Sequence, residues 1–240
     1  MRKNPLIANG GRIANILDTD AYGWDRIRAE VDRDGLLGLT LVDHDATMER
    51  LQQEFGDSAA FPFWNAYTGA PDTILPACTV ILDHVALSPG WQIVSETHPD
   101  DGAIEETQHL NQLCDVAPMP AYFMRGDTPP AMVSAIRSET GLMIACATGA
   151  MRYHPDGPLA GWMFAGSVSV HPDHRRMGLG VVVNALLLRD NQAELDWSNV
   201  LEQARETNLA STGMIRRCGL QQEPGKSTIV ISKMGQFVTR

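Results

Sequence analysis

One segment, residues 161–191, restricts the fold more than any other part of the sequence. Small and β-branched residues from Trp162 to Val170 predict a strand, and Pro172 prevents its regular continuation. From Gly180 to Arg189 almost every residue is apolar, which is typical of a helix buried on all sides. The segment therefore predicts a strand, a loop and a buried helix, in that order.

The loop, residues 175–180, has the composition of an anion-binding site. Gly178 and Gly180 permit a sharp turn and leave backbone amides uncovered by side chains. The first N–H groups of a helix have no acceptor within it, and the helix dipole places partial positive charge there. Two arginines and two histidines within residues 171–176 add a cationic collar. We expect this loop to bind a phosphate group.

The same loop resembles the signature of the GNAT superfamily of acyl-CoA-dependent N-acyltransferases. That signature reads Arg or Gln, two residues, Gly, one residue, then Gly or Ala, and Arg175, Gly178 and Gly180 fit it. A second segment also fits, because Asn208 is followed after eleven and twelve residues by Gly219 and Leu220. The resemblance covers about residues 120–235 and implies an enzyme that acetylates, or otherwise acylates, a primary amine.

The resemblance also implies which residues bind acetyl-CoA or another acyl-CoA, the expected co-substrate, with no metal involved. Main-chain groups of the strand would bind the pantetheine arm, the glycine loop would bind the pyrophosphate, and Asn208 would contact the cofactor further along. The strand residues are Val168, Ser169 and Val170; the loop residues are Arg175, Arg176, Met177, Gly178, Leu179, Gly180 and Val181. The acceptor would be the amine of a small molecule or a peptide.

The catalytic residues are less well marked by the sequence. A carboxylate usually helps to remove the proton of the amine, and Glu202, on a strand predicted over residues 200–204, is the candidate. The alternative for Glu202 is a solvated surface residue. Ile215 stands where the family usually has a tyrosine as general acid. This departure leaves a second hypothesis open, a non-catalytic acyl-CoA-binding or sensing module.

Composition limits the classes of partner. The formal net charge of −10 argues against nucleic acid and suits a cationic or amine substrate. Four scattered cysteines without a C-x-x-C pair are typical of a reduced, cytoplasmic protein. No apolar stretch approaches the length of a membrane span, and we expect neither a signal peptide nor a membrane partner. The sequence leaves a homodimer open.

The two prolines within residues 116–120 predict a connector between two regions. Residues 1–117 would form an N-terminal α/β region, and residues 118–240 a GNAT-like acetyltransferase domain. The predicted fold is mixed α/β: a central, mostly antiparallel sheet flanked by helices, preceded by a smaller α/β region that could be a diverged copy. Local patterns predict strands within residues 73–95 and 121–124, and a helix from Asp127 to Gly141.

Two stretches of the sequence partly match other phosphate-binding motifs. Residues 223–228 end like a P-loop but lack its first glycine, and we interpret them as a hairpin turn. Gly178 and Gly180 could open a dinucleotide-binding loop, but Val183 occupies the third glycine position. An oxidoreductase is therefore only a distant alternative.

Overall fold

The computed structural model of the chain describes residues 4–126 and 129–233. The strands are β1 (Ile7–Asn9), β2 (Ala14–Ile16), β3 (Leu36–Asp43), β4 (Ala59–Ala60), β5 (Phe63–Gly69), β6 (Gln92–Glu96), β7 (Ala131–Arg137), β8 (Met143–Ala150), β9 (Trp162–Val170), β10 (Asn199–Ala204) and β11 (Gln221–Lys233). The helices are α1 (Thr19–Tyr22), α2 (Trp24–Asp34), α3 (His44–Phe55), α4 (Pro71–Asp83), α5 (Asp101–Leu113), α6 (Ala121–Met124), α7 (Leu179–Leu195) and α8 (Leu209–Arg217).

These strands form one sheet in the order β1-β2-β3-β11-β5-β10-β9-β8-β7-β6, with β4 beside β11. The pairs β2–β3 and β9–β10 are parallel, and the other pairs are antiparallel. The predicted mixed α/β fold with a mostly antiparallel central sheet is therefore confirmed.

The centre of the sheet is covered on both faces, which explains its uniformly apolar strands. Every residue of β8 is buried, because α7 packs on one face and α5 on the other. Helix α7 is itself packed between this sheet and helices α4 and α8, so most of its residues from Leu179 to Leu188 are buried. The prediction of a strand followed by a buried helix is confirmed for β9 and for α7 over residues 179–188.

The sheet continues across the two predicted regions. Strand β11 lies between β3 and β5, and β5 pairs along its length with β10. Strand β6 pairs with β7, and α5 packs on β8, although both precede residue 118. The division into residues 1–117 and 118–240 stays a prediction.

Some local predictions are wrong. Of residues 73–95, expected to form strands, those up to residue 83 belong to α4, which has Pro71 at its first turn and contains Pro76. The last part of that stretch is a strand, β6, as expected. A continuous apolar run does not by itself distinguish a strand from a buried helix. Residues 223–228 are not a hairpin turn, because they lie within β11, where its pairing with β5 shifts register between Gln222 and Ser227.

Two further differences between the predicted and the observed elements lie within residues 121–141. Residues 121–124 form the short helix α6, and the predicted helix after them is the strand β7. Pairing with β6 and β8 on either side overrides the helical spacing of β7. Residues 127 and 128, the predicted helix start, lie outside the described residues. Among the described helices, none has the length and apolar character needed to cross a membrane.

Candidate active site

The glycine loop precedes α7 in a backbone conformation that only a few residue types adopt easily. Gly178 has φ 78° and ψ 1°, and Arg176 has φ 64°. No side chain caps α7, and the amides of Gly178, Leu179 and Gly180 have no acceptor among the described residues. These three donors at the positive end of a long helix can bind an anion.

The space in front of the loop is open. A Cβ atom at Gly178 would meet no atom within 4 Å. Glycine is therefore favoured at this position by the positive φ angle and not by a lack of space. A Cβ atom at Gly180 would lie 3.6 Å from Val170 Cγ2 and 3.7 Å from Met214 Sδ, which are ordinary contacts. The described fold therefore has room for a methyl group at Gly180, in the gap between the end of β9 and α8.

Two cationic side chains flank this loop. Arg175 Nε donates to the carbonyl of Val170 at 3.4 Å, which ties the loop to the end of β9. Neither Arg175 nor Arg176 forms an ion pair with any carboxylate in residues 4–126 or 129–233. Their charges are therefore available to an anionic ligand, in a chain that is acidic overall.

A shallow groove of about 670 Å³ begins beside the loop and runs along α4. It is lined by Pro76, Ala77, Val80, Ile81, His84, Val85, Met177, Gly178, Val181, Val182 and Arg217. Val80 and Met177 are more than half exposed there. The groove brings residues of the N-terminal region next to the glycine loop.

Strands β9 and β10 separate close to the loop. They pair only from Trp162 to Phe164 of β9, after which β9 stays with β8 while β10 stays with β5. A β-bulge in the β8–β9 pairing marks the start of the gap, with Ser167 at φ 50°. Bulges are frequent next to active sites, where they redirect the strand. The predicted pantetheine contacts Val168, Ser169 and Val170 belong to the stretch of β9 that pairs with β8 and no longer with β10.

A cavity of about 280 Å³, here called the acceptor cavity, lies beside the gap on the face of the sheet that carries α5 and α6. Its walls come from the β1–β2 loop, the segment between α5 and α6, and strands of both regions. The lining residues are Gly10, Arg12, Ile13, Asn15, Leu36, Trp64, Val116, Ala117, Pro118, Met119, Pro120, Phe123, Ala150, Arg152, Phe164, Ala165, Gly166, Ser167, Gln203, Thr228 and Val230.

Glu202 faces the opposite side of β10 from the acceptor cavity. It is 2% exposed, and its Oε1 accepts a hydrogen bond of 2.9 Å from Asn184 Nδ2 of α7. Burial raises the pKa of the Glu202 carboxyl to about 7, and the Asn184 hydrogen bond acts in the opposite direction. Glu202 is therefore not a solvated surface residue. Its neighbour Gln203, not Glu202, lines the cavity.

The predicted residues of the second motif have structural partners. Asn208 begins α8, and its Oδ1 accepts from the amide of Ser211 at 3.1 Å. Ile215 is 1% exposed and packs in the core with residues of α7. The tyrosine position of the motif is thus occupied by a core residue, not by a side chain facing an open site.

Sequence analysis did not identify the residues that line the acceptor cavity. Arg12, Trp64, Arg152 and Gln203 are far apart in the chain, and no short motif joins them. The pairing of β5 with β10 and of β8 with β9, and the packing of the β1–β2 loop on Pro120, bring them together. In the described residues, no group of three His, Cys, Asp or Glu converges in a way that could hold a metal ion.

Comparison with known proteins gives a structural likeness without a sequence match. No family model and no curated protein matches the chain. A GCN5-related N-acetyltransferase from Kribbella flavida superposes with a TM-score of 0.65 at 15% identity, covering 95% of this chain and 84% of that one. A tandem GNAT protein of the clavulanic acid biosynthesis pathway gives 0.63 at 16% identity, covering 96% and 78%.

A third structure agrees with these two. A GCN5-related N-acetyltransferase-like protein from Streptococcus suis has a TM-score of 0.60 at 13% identity, covering 96% of this chain and 85% of that one. The likeness therefore extends over the N-terminal region as well as the glycine loop. At these identities the comparison concerns the fold, and the chain has the fold of the GNAT N-acetyltransferases.

Proposed function

We propose that this protein is an N-acyltransferase that transfers an acyl group, in the first instance acetyl, from acyl-CoA to a primary amine of a small molecule or peptide. One observation carries the proposal: the uncapped amides at the start of α7 adjoin the gap where β9 leaves β10. An anion-binding helix end and a strand that its neighbour no longer pairs with are what a phosphate attached to an extended amide chain requires.

The residues present fit such a ligand. The amides from Gly178 to Gly180 would hold the pyrophosphate, with Arg175 and Arg176 supplying charge. The main chain of Val168–Val170 would pair with the pantetheine amides. The groove beside Met177, with Arg217 and His84, would receive the nucleotide end. The side chain of Asn208 remains a proposed contact from its position at the start of α8.

Acyl transfer from a thioester to an amine requires of the protein mainly that it positions the two reactants. When bound, the thioester supplies the carbonyl carbon that the amine attacks and a thiolate that leaves. A thiol has an unperturbed pKa of about 8.5, so its departure near neutral pH does not depend on a proton donor. The protein would orient the two reactants and stabilise the oxyanion with main-chain donors at the gap. Ile215 in the tyrosine position is compatible with this reaction.

The amine must lose a proton, and Glu202 stays the proposed acceptor. Its pKa of about 7 suits a general base. Its side chain lies under α7, so the proton would reach it through the gap between β9 and β10 and not through a direct contact inside the acceptor cavity. A Glu202→Gln variant that retains full kcat would remove Glu202 from this role.

One observation supports a second candidate function, a non-catalytic acyl-CoA-binding module. Among the residues that line the acceptor cavity, none has a carboxylate, imidazole, phenol or thiol. A module that only senses acyl-CoA needs no proton acceptor there.

Calorimetry with acetyl-CoA tests the shared part of both functions, and a matched pair of variants locates the site. Gly180→Ala adds a methyl group where the fold has room but a pyrophosphate would approach. Gly213→Ala adds one in α8, where no atom lies within 4 Å. We expect Gly180→Ala to weaken acetyl-CoA binding by about tenfold or more and Gly213→Ala to leave it unchanged, since only the first obstructs the uncapped amides.

Release of CoA in the presence of an amine panel separates the two functions. An enzyme releases free thiol in proportion to acetylated amine, whereas a sensing module binds acetyl-CoA and releases none. Equal acetyl-CoA affinities of wild type and Gly180→Ala would contradict the assignment of the glycine loop.

A further inference from the structure

The acceptor cavity is cationic although the chain is acidic. Arg12 and Arg152 are the charged residues among those that line it, and no acidic residue does. Arg205 is close by, with its guanidinium carbon 5.1 Å from the ring centroid of Trp64, which lines the cavity. The overall charge of −10 would suit a cationic substrate, but this cavity has the opposite sign.

The distribution of unpaired arginines makes this contrast sharper. Apart from Arg26, every arginine in residues 4–126 and 129–233 that forms no ion pair lies at one of two places. One group, Arg175, Arg176, Arg216 and Arg217, surrounds the glycine loop and its groove or belongs to the adjacent helix α8. The other group, Arg12, Arg152 and Arg205, surrounds the acceptor cavity. The first group matches the phosphates of a nucleotide, and the second has no counter-ion in the proposed function so far.

Arg152 is the best placed of the three. Its guanidinium carbon lies 3.6 Å from the ring centroid of Phe164, so the group is stacked on a cavity wall. Its Nε is buried without a hydrogen-bond partner in the described residues, and so is the Nε of Arg205. Leaving charged donors buried and unmatched is costly, and a planar guanidinium matches a carboxylate with two parallel hydrogen bonds.

The other walls are apolar and close together. Aromatic and aliphatic side chains, among them Trp64, Phe123, Phe164 and Met119, form most of the lining. The volume of about 280 Å³ lies just below the roughly 300–1,000 Å³ typical of sites for drug-sized ligands. A small ligand with an apolar body fits this space, and an extended peptide does not.

We propose that the acceptor is a small amine that carries a carboxylate and an apolar body, as an apolar amino acid does. Arg152 binds the carboxylate. Arg12 lies at the rim of the cavity, and Arg205 adds to the positive potential. This inference rests on the proposed acyltransferase function. The positive charge of the cavity would also make the enzyme selective among amines, because polyamines and lysine-rich segments would be repelled. The positive potential favours the neutral form of the amine, which is the form that reacts.

The test uses N-acetylated acceptors, the products of the proposed reaction, which already carry the acyl group and are titrated without acyl-CoA. Titration calorimetry compares the N-acetyl derivatives of phenylalanine, leucine and methionine with the matching N-acetyl amino-acid amides, which differ only in the carboxylate. We expect at least one acid to bind wild type about tenfold or more tightly than its amide, as hydrogen bonds to a charged group imply. N-acetyl phosphoethanolamine, titrated in the same way, tests whether the cavity prefers a phosphate to a carboxylate.

Arg152→Gln removes the charge but keeps a long side chain over Phe164, so packing is largely preserved. It should reduce the preference for the acid to about twofold or less. Arg26→Gln, which removes an unpaired arginine on α2, controls for net charge and should retain the preference. Acetyl-CoA binding by Arg152→Gln should be unchanged, which confirms that the variant is folded.

Three results would overturn the inference. The acids and their amides could bind equally, or the phosphate derivative could bind more tightly than every acid. The third is that no acid binds at 10 mM, a concentration about tenfold above a weak Kd of 1 mM. If these occur while acetyl-CoA still binds and neutral amines are acetylated, the acyltransferase function stands and only the carboxylate is wrong. If acetyl-CoA does not bind wild type, the proposed function fails, whatever the analogues do.

Discussion

Replacing Glu202 by glutamine should change how the stability of this protein depends on pH. The Glu202 side chain is 2% exposed, and its one hydrogen bond comes from Asn184. Water is therefore excluded from a group that is ionised in the unfolded chain at neutral pH. Glutamine has nearly the same shape as a protonated glutamate and carries no charge at any pH.

The size and sign of the effect follow from the pKa. Burial moves the pKa of Glu202 from an ordinary 4.5 to about 7 in the folded protein. Since one pKa unit corresponds to about 1.4 kcal/mol, the difference corresponds to about 3 kcal/mol. The folded state holds the proton more tightly, so the contribution is fully present below pH 4.5 and is lost as the pH rises through 7. Wild type should lose that much stability over this range, and Glu202→Gln should not.

The measurement is urea unfolding followed by tryptophan fluorescence at three or more pH values spanning that range, with Trp197 buried in the same core cluster as α7. The free-energy difference between Glu202→Gln and wild type should be small at the acidic end and should favour the variant by about 3 kcal/mol at the basic end. Glu194→Gln removes a charge from the exposed side of α7 and serves as control. A difference between Glu202→Gln and wild type that is constant with pH would refute the reasoning.

Three other variants extend these expectations. Arg175→Gln should weaken acetyl-CoA binding severalfold at low salt and make its Kd less dependent on salt, because an exposed cation near a phosphate is screened; an unchanged salt dependence in calorimetry would argue against the cationic collar. Ile215→Tyr, at a position 1% exposed, should lower the free energy of unfolding by about 1–3 kcal/mol through overpacking, and a urea midpoint equal to that of wild type would count against this. Gly219→Ala should destabilise by about 1–3 kcal/mol, because Gly219 has φ 92° and the new Cβ would lie 2.6 Å from the carbonyl oxygen of Thr73; a melting temperature within a degree of wild type would contradict this contact.

The part of the fold that could be predicted from sequence is the part set by local chemistry. The turn at Gly178, the strand before it and the buried helix after it follow from neighbouring residues. The GNAT resemblance rested on the glycine loop and on the spacing from Asn208 to Leu220, and the structural comparison confirms it at the level of fold. Structure that is fixed by residues within about ten positions of one another can be predicted from the order of residue types in the sequence.

The errors and omissions have a different origin. Strand β7 has helical spacing, and only its neighbours β6 and β8 make it a strand. The acceptor cavity joins residues 10–15 to residues 116–120, to residues 164–167 of β9 and to Gln203 of β10, through sheet pairing that no local pattern records. The acidic composition could not indicate the arginines that line this cavity, because net charge averages over the whole surface.

The insertion of β11 between β3 and β5 affects how the protein can fold during its synthesis. Roughly 180 residues separate the end of β3 from the start of β11, and at about 5–20 residues per second a ribosome needs about 10–40 s to make them. During that time β3 and β5 have emerged but lack the strand between them, and β5 also lacks its other neighbour β10 for most of it, so strand edges stay open. A nascent chain stalled near residue 117 should therefore be a target for chaperones and proteases.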